Sequence, residues 1–406
     1  MSENNTKSGR VRMAYIGCWY KNDMYSHNCS GLVDSLRGSG MNIDVITSNC
    51  RCFSSAQKFS ISKDELINQN CVAVTLPHAP RSPGRSHGVA KQLAVKVLRL
   101  DLWLAILRGV FFYSRARRAD VIHFDQVLEA FGCVPFVVLL ILASITGKRV
   151  VVTVHEIDPI QREHKGLNRL YSRCAEVLAY SENMRQQLVA LGVPSDKVHV
   201  IKYGTEIPKL EGAIRRNYLF FGGHFIQHGK GYAELVDALV LVKERGVKIH
   251  TVIYVGHGCN GLKEAKELAE SKCLSDVLEW QEFYTRDQLA HVYQACKVCI
   301  VPFSGGSARH PLTCAMVNAT PVIATRKADI PEYLGDLGIY VEGSARSIAD
   351  AICEIENGVV DLATLGKRMR EKALAELDYH KIADELSGMY SRVSANRPLV
   401  QINEAA

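Results

Sequence analysis

"VPFSGGSARHPLTCAMVNATPVIAT", residues 301–325, decides how the chain is read. It begins on the end of a β-branched run (298–302), turns through Gly305 and Gly306, enters a helix with Pro311 in its first turn, and leaves on a second run, 321–324. A proline there costs the helix nothing, because the first N–H groups of a helix have no partner within it. Two short apolar strands joined by a helix form a crossover unit, and such strands lie parallel. The segment holds neither Asp nor Glu, so any ligand chemistry here must come from backbone, hydroxyl and basic groups.

The same alternation extends both ways. Around this unit, strands are expected at 218–221, 248–255 and 338–341, with helices at about 231–245 and 261–274. The first half reads alike, with strands at 11–16, 43–47, 121–124, 149–154, 177–179 and 198–201 and helices at 31–37, 135–146 and 182–191. The register restarts after Ile207-Pro208-Lys209, which places a boundary near 205–216. The expected domains are therefore 1–207, 208–378, and a last segment 379–406 whose helix packs back toward the hinge before a tail. The architecture is α/β, two Rossmann-like domains facing across a cleft, because parallel sheets take ligands at the carboxyl ends of their strands.

A chain of 406 residues, 47% hydrophobic and 22% charged, has an ordinary globular composition with room for two cores. Its net charge of +7 is modest and points to an anionic partner such as a phosphate ester or acidic lipid, not to nucleic acid. Thirteen scattered cysteines, many in apolar segments, suit reduced thiols and a cytoplasmic protein without a disulfide framework. Cys296 and Cys299 would fall on opposite faces of a strand, so no metal is expected there. The polar N-terminus carries no signal-peptide pattern. The longest apolar run, 134–145, falls short of the ~20 residues that span a bilayer.

Residues 81–118 differ in character: nine Lys/Arg are opposed only by Asp101 and interleaved with residues such as Leu98, Trp103, Leu107 and Phe112. The pattern suits a peripheral contact with the anionic inner face of a membrane, or a long crossover helix whose apolar side is core.

Six further segments carry a family likeness: "VVVTVHE" (150–156), "VPSDKVHVIKYGTE" (193–206), "FFGGHFIQHGKG" (220–231), "YTRDQLAHVYQACKVCIVPF" (284–303), "AMVNATPVIAT" (315–325) and "IPEYLGDLGIYVE" (330–342). In order and separation the chain resembles the family 4 glycosyltransferases of the GT-B fold. The resemblance implies that the second domain holds a nucleotide-diphosphate sugar and the first an acceptor. It covers nearly the whole chain and is strongest from Tyr218 to Ile352.

On that reading Lys230, after the Gly222, Gly223 and Gly229 turn and opening a helix, supplies a point charge for a diphosphate. His224 stands where the family has an arginine, so a permanent charge has become a titratable one. The family's two glutamates, with seven residues between them, match Gly306 and Cys314, so both carboxylates are missing. The remaining donor loop is Ser304, Gly305, Gly306, Ser307 and Arg309, an anion site of amides, hydroxyls and a guanidinium. On the acceptor side the resemblance assigns His155 to face the donor sugar, with Glu156 and Asp158 as candidate general bases. Tyr20, Lys21 and His27 belong to the acceptor side, where Trp19 and Tyr20 either stack on a sugar or serve as core.

The function so implied is transfer of a sugar from a UDP- or GDP-type donor to a glycan or lipid-linked acceptor in surface polysaccharide synthesis. No cofactor or metal is implied, the nucleotide-sugar being a substrate. The alternative is a catalytically deficient scaffold or partner subunit, which the carboxylate-free loop supports. A third reading, a sugar-phosphate synthase of the same fold, would act on a soluble sugar without lipid. With the glutamates gone, inversion with Glu156 or Asp158 as base stands beside retention of configuration.

Overall fold

The computed structural model describes residues 11–17, 26–48, 71–74, 100–125, 133–157, 165–210, 218–223, 229–255, 261–282, 286–305 and 307–395. Asp158, His224, Gly306, Tyr20 and Lys21 lie outside the described residues, as does the 81–99 part of the basic stretch.

The chain divides into two compact units. The first comprises Met1–Tyr180, Met184–Ile201 and Ile382–Ala406; the second comprises Ser181–Asn183 and Lys202–Lys381. The first contains strands β1 (Arg12–Gly17), β2 (Asn42–Ser48), β3 (Cys71–Val74), β4 (Val121–Asp125), β5 (Arg149–Thr153), β6 (Glu176–Ala179) and β7 (Val198–Val200). Its helices are α1 (Ser26–Gly38), α2 (Leu100–Ala116), α3 (Cys133–Ile145), α4 (Lys165–Tyr171) and α5 (Glu182–Ala190), of which α5 begins in the second unit.

The second unit contains β8 (Leu219–Gly223), β9 (Thr251–Val255), β10 (Leu278–Glu282), β11 (Val298–Val301), β12 (Val322–Thr325) and β13 (Ile339–Val341). The helices there are α6 (Tyr232–Glu244), α7 (Leu262–Ser271), α8 (Arg286–Ala295), α9 (Arg309–Val317), α10 (Ile330–Leu334), α11 (Ala345–Glu356) and α12 (Leu362–Glu376). The last helix, α13 (Tyr379–Ala395), begins in the second unit and ends in the first.

Both sheets are parallel. The first runs β3-β2-β1-β4-β5-β6-β7 and the second β10-β9-β8-β11-β12-β13. The order explains the residues. Central strands covered by helices on both faces are mainly apolar, and Val298–Val301 and Val322–Thr325 are buried at every position, with Thr325 the polar residue among them. The sequence patterning misses β3 and β10, which end the sheet orders. An edge strand keeps water on one side, so β10, LEWQE, alternates polar with apolar and reads weakly.

In each sheet the chain leaves its first strand for one side and later returns to the other. The switch falls between β1 and β4 in the first unit and between β8 and β11 in the second. Loops diverge there, leaving a crevice at the strands' carboxyl ends where parallel sheets place ligands.

Candidate active site

In the second unit, Gly229 and Gly231 have φ of +87° and +75°, a region closed to most L-residues. A Cβ on Gly231 would come within 2.2 Å of the Pro302 carbonyl oxygen, so only glycine allows the turn before α6 to pack on the loop after β11. Ser304 N–H donates to the Gly229 carbonyl at 2.9 Å and Gly305 N–H at 3.3 Å, which ties the two loops together. Lys230 donates from Nζ to the Ser307 carbonyl at 3.1 Å and lies 4.3 Å from the centre of the Phe303 ring. The ammonium is thus aimed along the 303–307 loop at the β8/β11 switch. Among the described residues, a Cβ on Gly305 would meet nothing within 4 Å. Gly223 closes β8 at the same end of the sheet.

Two expected donor residues fall elsewhere. Arg309 is buried, and its Nη1 donates to Asp329 Oδ2 at 2.7 Å with both side chains shielded from solvent. The physical reason is that a carboxylate buried before α10 needs a cation against it, and the guanidinium supplies that charge inside the unit instead of to a ligand loop. Cys314 lies buried on α9 with its Sγ 3.8 Å from His310 Nε2. Burial pushes the thiol up to about 12 and lowers His310 to about 4, so both are neutral near pH 7. The position therefore keeps no charge in place of the absent carboxylate.

In the first unit His155 follows β5, and its Nε2–H donates to Asp125 Oδ1 at 2.6 Å; the proton is assigned to Nε2 because an ionised carboxylate only accepts. Asp125 also accepts from the Tyr15 hydroxyl at 2.5 Å, and the Tyr180 hydroxyl lies 3.3 Å from His155 Nε2. These four residues come from, or directly follow, β1, β4, β5 and β6, so they cross the β1/β4 switch in a row. Burial alone would raise Asp125, which is 2% exposed. The charge and hydrogen bond of His155, with His123 and Tyr15, overcome this and hold the carboxyl well below its ordinary range.

Behind this pair His123 bonds Thr153 Oγ1 at 2.7 Å through Nε2 and Tyr390 Oη at 2.7 Å through Nδ1, which places α13 in the network. Desolvation lowers His123 to about 4 against the attraction of Asp125. A neutral imidazole with a hydroxyl at each nitrogen can donate at one and accept at the other.

Glu156 is exposed beside His155, and His27 falls on α1. Sequence reasoning missed Asp125, Tyr15, His123 and Tyr180. A signal for two of them was present: VIHFD is a wholly buried central strand that nevertheless carries His123 and Asp125. Polar groups in such a strand need partners, and those partners define the network.

Two units, each built on a parallel sheet with a switch point, have the paired Rossmann-like architecture of the GT-B class. A Glycosyltransferase Family 4 model matches residues 31–207 and a Glycosyl transferases group 1 model matches 215–357. The chain belongs to the family 4-like glycosyltransferases. It is 22% identical over 272 residues, 62% of this chain, to the amylovoran biosynthesis glycosyltransferase of Erwinia amylovora. A further relative is the MMP alpha-(1->4)-mannosyltransferase of Mycolicibacterium hassiacum, 22% identical over 58% of this chain. The matched parts span 66% and 60% of those two relatives' lengths.

Among solved structures, sucrose-phosphate synthase from Thermosynechococcus elongatus superposes with a TM-score of 0.72 at 16% identity, covering 95% of this chain and 100% of the other. Anabaena HepE in complex with UDP and glucose gives 0.69 at 16% identity, covering 94% and 100%.

Proposed function

We propose that the protein moves a sugar from a nucleotide-diphosphate donor of UDP or GDP type to a hydroxyl of a glycan or lipid-linked acceptor, in surface polysaccharide synthesis. The observation that carries this reading is the Gly229–Lys230–Gly231 turn bonded to the 304–305 backbone beside an ammonium group, a cradle suited to a diphosphate. Membership in the family and the likeness to an amylovoran enzyme of Erwinia amylovora support the substrate class.

In the reaction the bond from the sugar's anomeric carbon to the diphosphate oxygen breaks, and one to the acceptor oxygen forms. Negative charge grows on the leaving diphosphate, and Lys230 with the loop amides and the Ser304 and Ser307 hydroxyls stabilises it there. Gly223, His224 and Gly306 complete the donor set, and no separate cofactor or metal takes part. His155, held in one tautomer by Asp125, acts toward the transferred sugar. The acceptor proton passes to a carboxylate, Glu156 or Asp158, and Tyr20, Lys21 and His27 bind the acceptor. The protein works at the cytoplasmic side of an anionic membrane surface, which it meets through 81–118. Among the described residues no helix is long and apolar enough to cross a membrane.

Calorimetric titration with UDP and with GDP tests the reading. One of the two binds, and Lys230→Ala weakens it about 10- to 100-fold, the worth of one charge-assisted contact, while leaving the thermal midpoint unchanged. Absence of binding to either nucleotide favours the scaffold alternative.

A further inference from the structure

The first unit carries a cavity of about 490 Å³ at the other end of its sheet from the Asp125–His155 pair, where β5 and β6 begin. Lys148, Arg149, Arg173, Lys197 and Arg392 line it, opposed among the described residues by Glu176, whose carboxylate is paired with His199 at 2.7 Å. Lys197 donates to the carbonyls of Ser172 and Cys174 at 2.6 and 3.0 Å, which fixes one wall. Such a density of cations in a concave site suits a phosphate group.

The helix whose end walls the cavity, and its neighbour, carry exposed apolar side chains. Helices α2 and α3 run side by side in the same direction: Gly109 lies against Pro135 and Val138, and further along Tyr113 donates to Thr146 at 2.7 Å. One side of α2 is core, with Phe112 and Ala116 buried, yet Trp103, Leu107 and Val110 on the other side are 60%, 59% and 44% exposed. On α3, Ile141 and Ile145 are 49% and 76% exposed one turn apart, and the neighbouring Ser144, Gly147 and Lys148 form part of the cavity wall. Past α2, Arg117 and Arg118 are exposed at the same end as Lys148. Exposed Ile141 and Ile145 beside the cavity's cations match the two layers of a bilayer surface, whereas a soluble anion would leave those apolar side chains without a use.

We propose that this cavity receives the phosphate headgroup of an anionic lipid while the α2–α3 apolar side chains sit in the interfacial layer of the same bilayer. The proposal rests on the membrane part of the function proposed above and gives that contact a headgroup site outside 81–118. It requires nothing of the sugar-transfer step.

The test uses the full chain and vesicles of phosphatidylcholine with or without phosphatidylglycerol, read by co-sedimentation. Binding is expected only with phosphatidylglycerol, weakening as salt rises. The variant Arg173→Glu with Arg392→Glu changes two exposed side chains and should lower vesicle affinity at least about tenfold, leaving UDP or GDP binding and thermal midpoint unchanged. Brominated lipid should quench Trp103 fluorescence, a signal absent in Trp103→Phe, and Ile145→Ser should weaken binding without altering its salt dependence. Undiminished vesicle binding by the double variant overturns the headgroup site and leaves the membrane reading of 81–118 intact. No binding to phosphatidylglycerol, or displacement of the protein by millimolar inorganic phosphate, overturns the lipid as ligand.

Discussion

The two switch points of this molecule solve the same problem with opposite materials. In the second unit the site is made of main chain, two left-handed glycines, a pair of amides and one lysine, with neutral Cys314 and His310 behind them. In the first it is made of side chains, where Tyr15, Asp125, His155 and Tyr180 bond to one another across adjacent strands. A backbone site tolerates many side-chain changes but no change of glycine. A side-chain site depends on charge and on burial, and so it responds to pH.

The contrast is broken most directly at Gly231. Gly231→Ala forces a methyl group against the Pro302 carbonyl in a left-handed conformation and should cost about 4 kcal/mol of stability. Nucleotide binding should disappear with it, as read by denaturant unfolding and calorimetry. Unchanged affinity would show that the turn is not part of the donor site.

Next in size is an effect of pH confined to the first unit's network. His123 has a folded pKa of about 4 against 6.5 when unfolded. Between those values the unfolded chain binds a proton that the folded chain refuses. Its contribution is therefore complete above pH 6.5, shrinks as the pH falls to 4, and amounts to about 3 kcal/mol. His123→Asn should flatten that part of the stability profile. An unaltered slope in the variant would place the titration elsewhere.

Asp125→Asn sharpens the comparison at smaller cost, about 2 kcal/mol of stability. The depressed pKa of Asp125 stabilises the fold above its unfolded value and is lost only as the pH falls below about 3.9. This variant should therefore remove part of the acid-side loss below pH 4. As a positioning residue, Asp125 should affect kcat about 100-fold through the tautomer of His155, with KM for the donor nearly unchanged. A rise in donor KM with kcat unchanged would mean that the pair serves binding.

How much of this was legible beforehand differs between the units. The turn before α6 could be read closely, because glycines flanking a lysine before a helix declare a backbone geometry locally. Within it, Arg309 misled: next to serines and glycines it resembles a loop cation, and nothing nearby reveals that Asp329 will claim it. In the first unit His155 was found at the end of its strand, but its partners were not. Within the described part of the basic stretch, α2 buries Phe112 and Ala116 as a crossover helix does, and leaves Trp103, Leu107 and Val110 exposed.

By itself the sequence determined the alternation of strands and helices, the restart near residue 208, and the glycine turn with its lysine. These depend on hydrophobic period and turn chemistry acting over a few residues. Only the tertiary structure decided which polar groups pair inside: Arg309 with a residue 20 positions on, His155 with one 30 back, and Tyr15 with one 110 away. Buried polar groups must be satisfied by whatever the sheet order brings beside them, and strand order is a property of the whole chain.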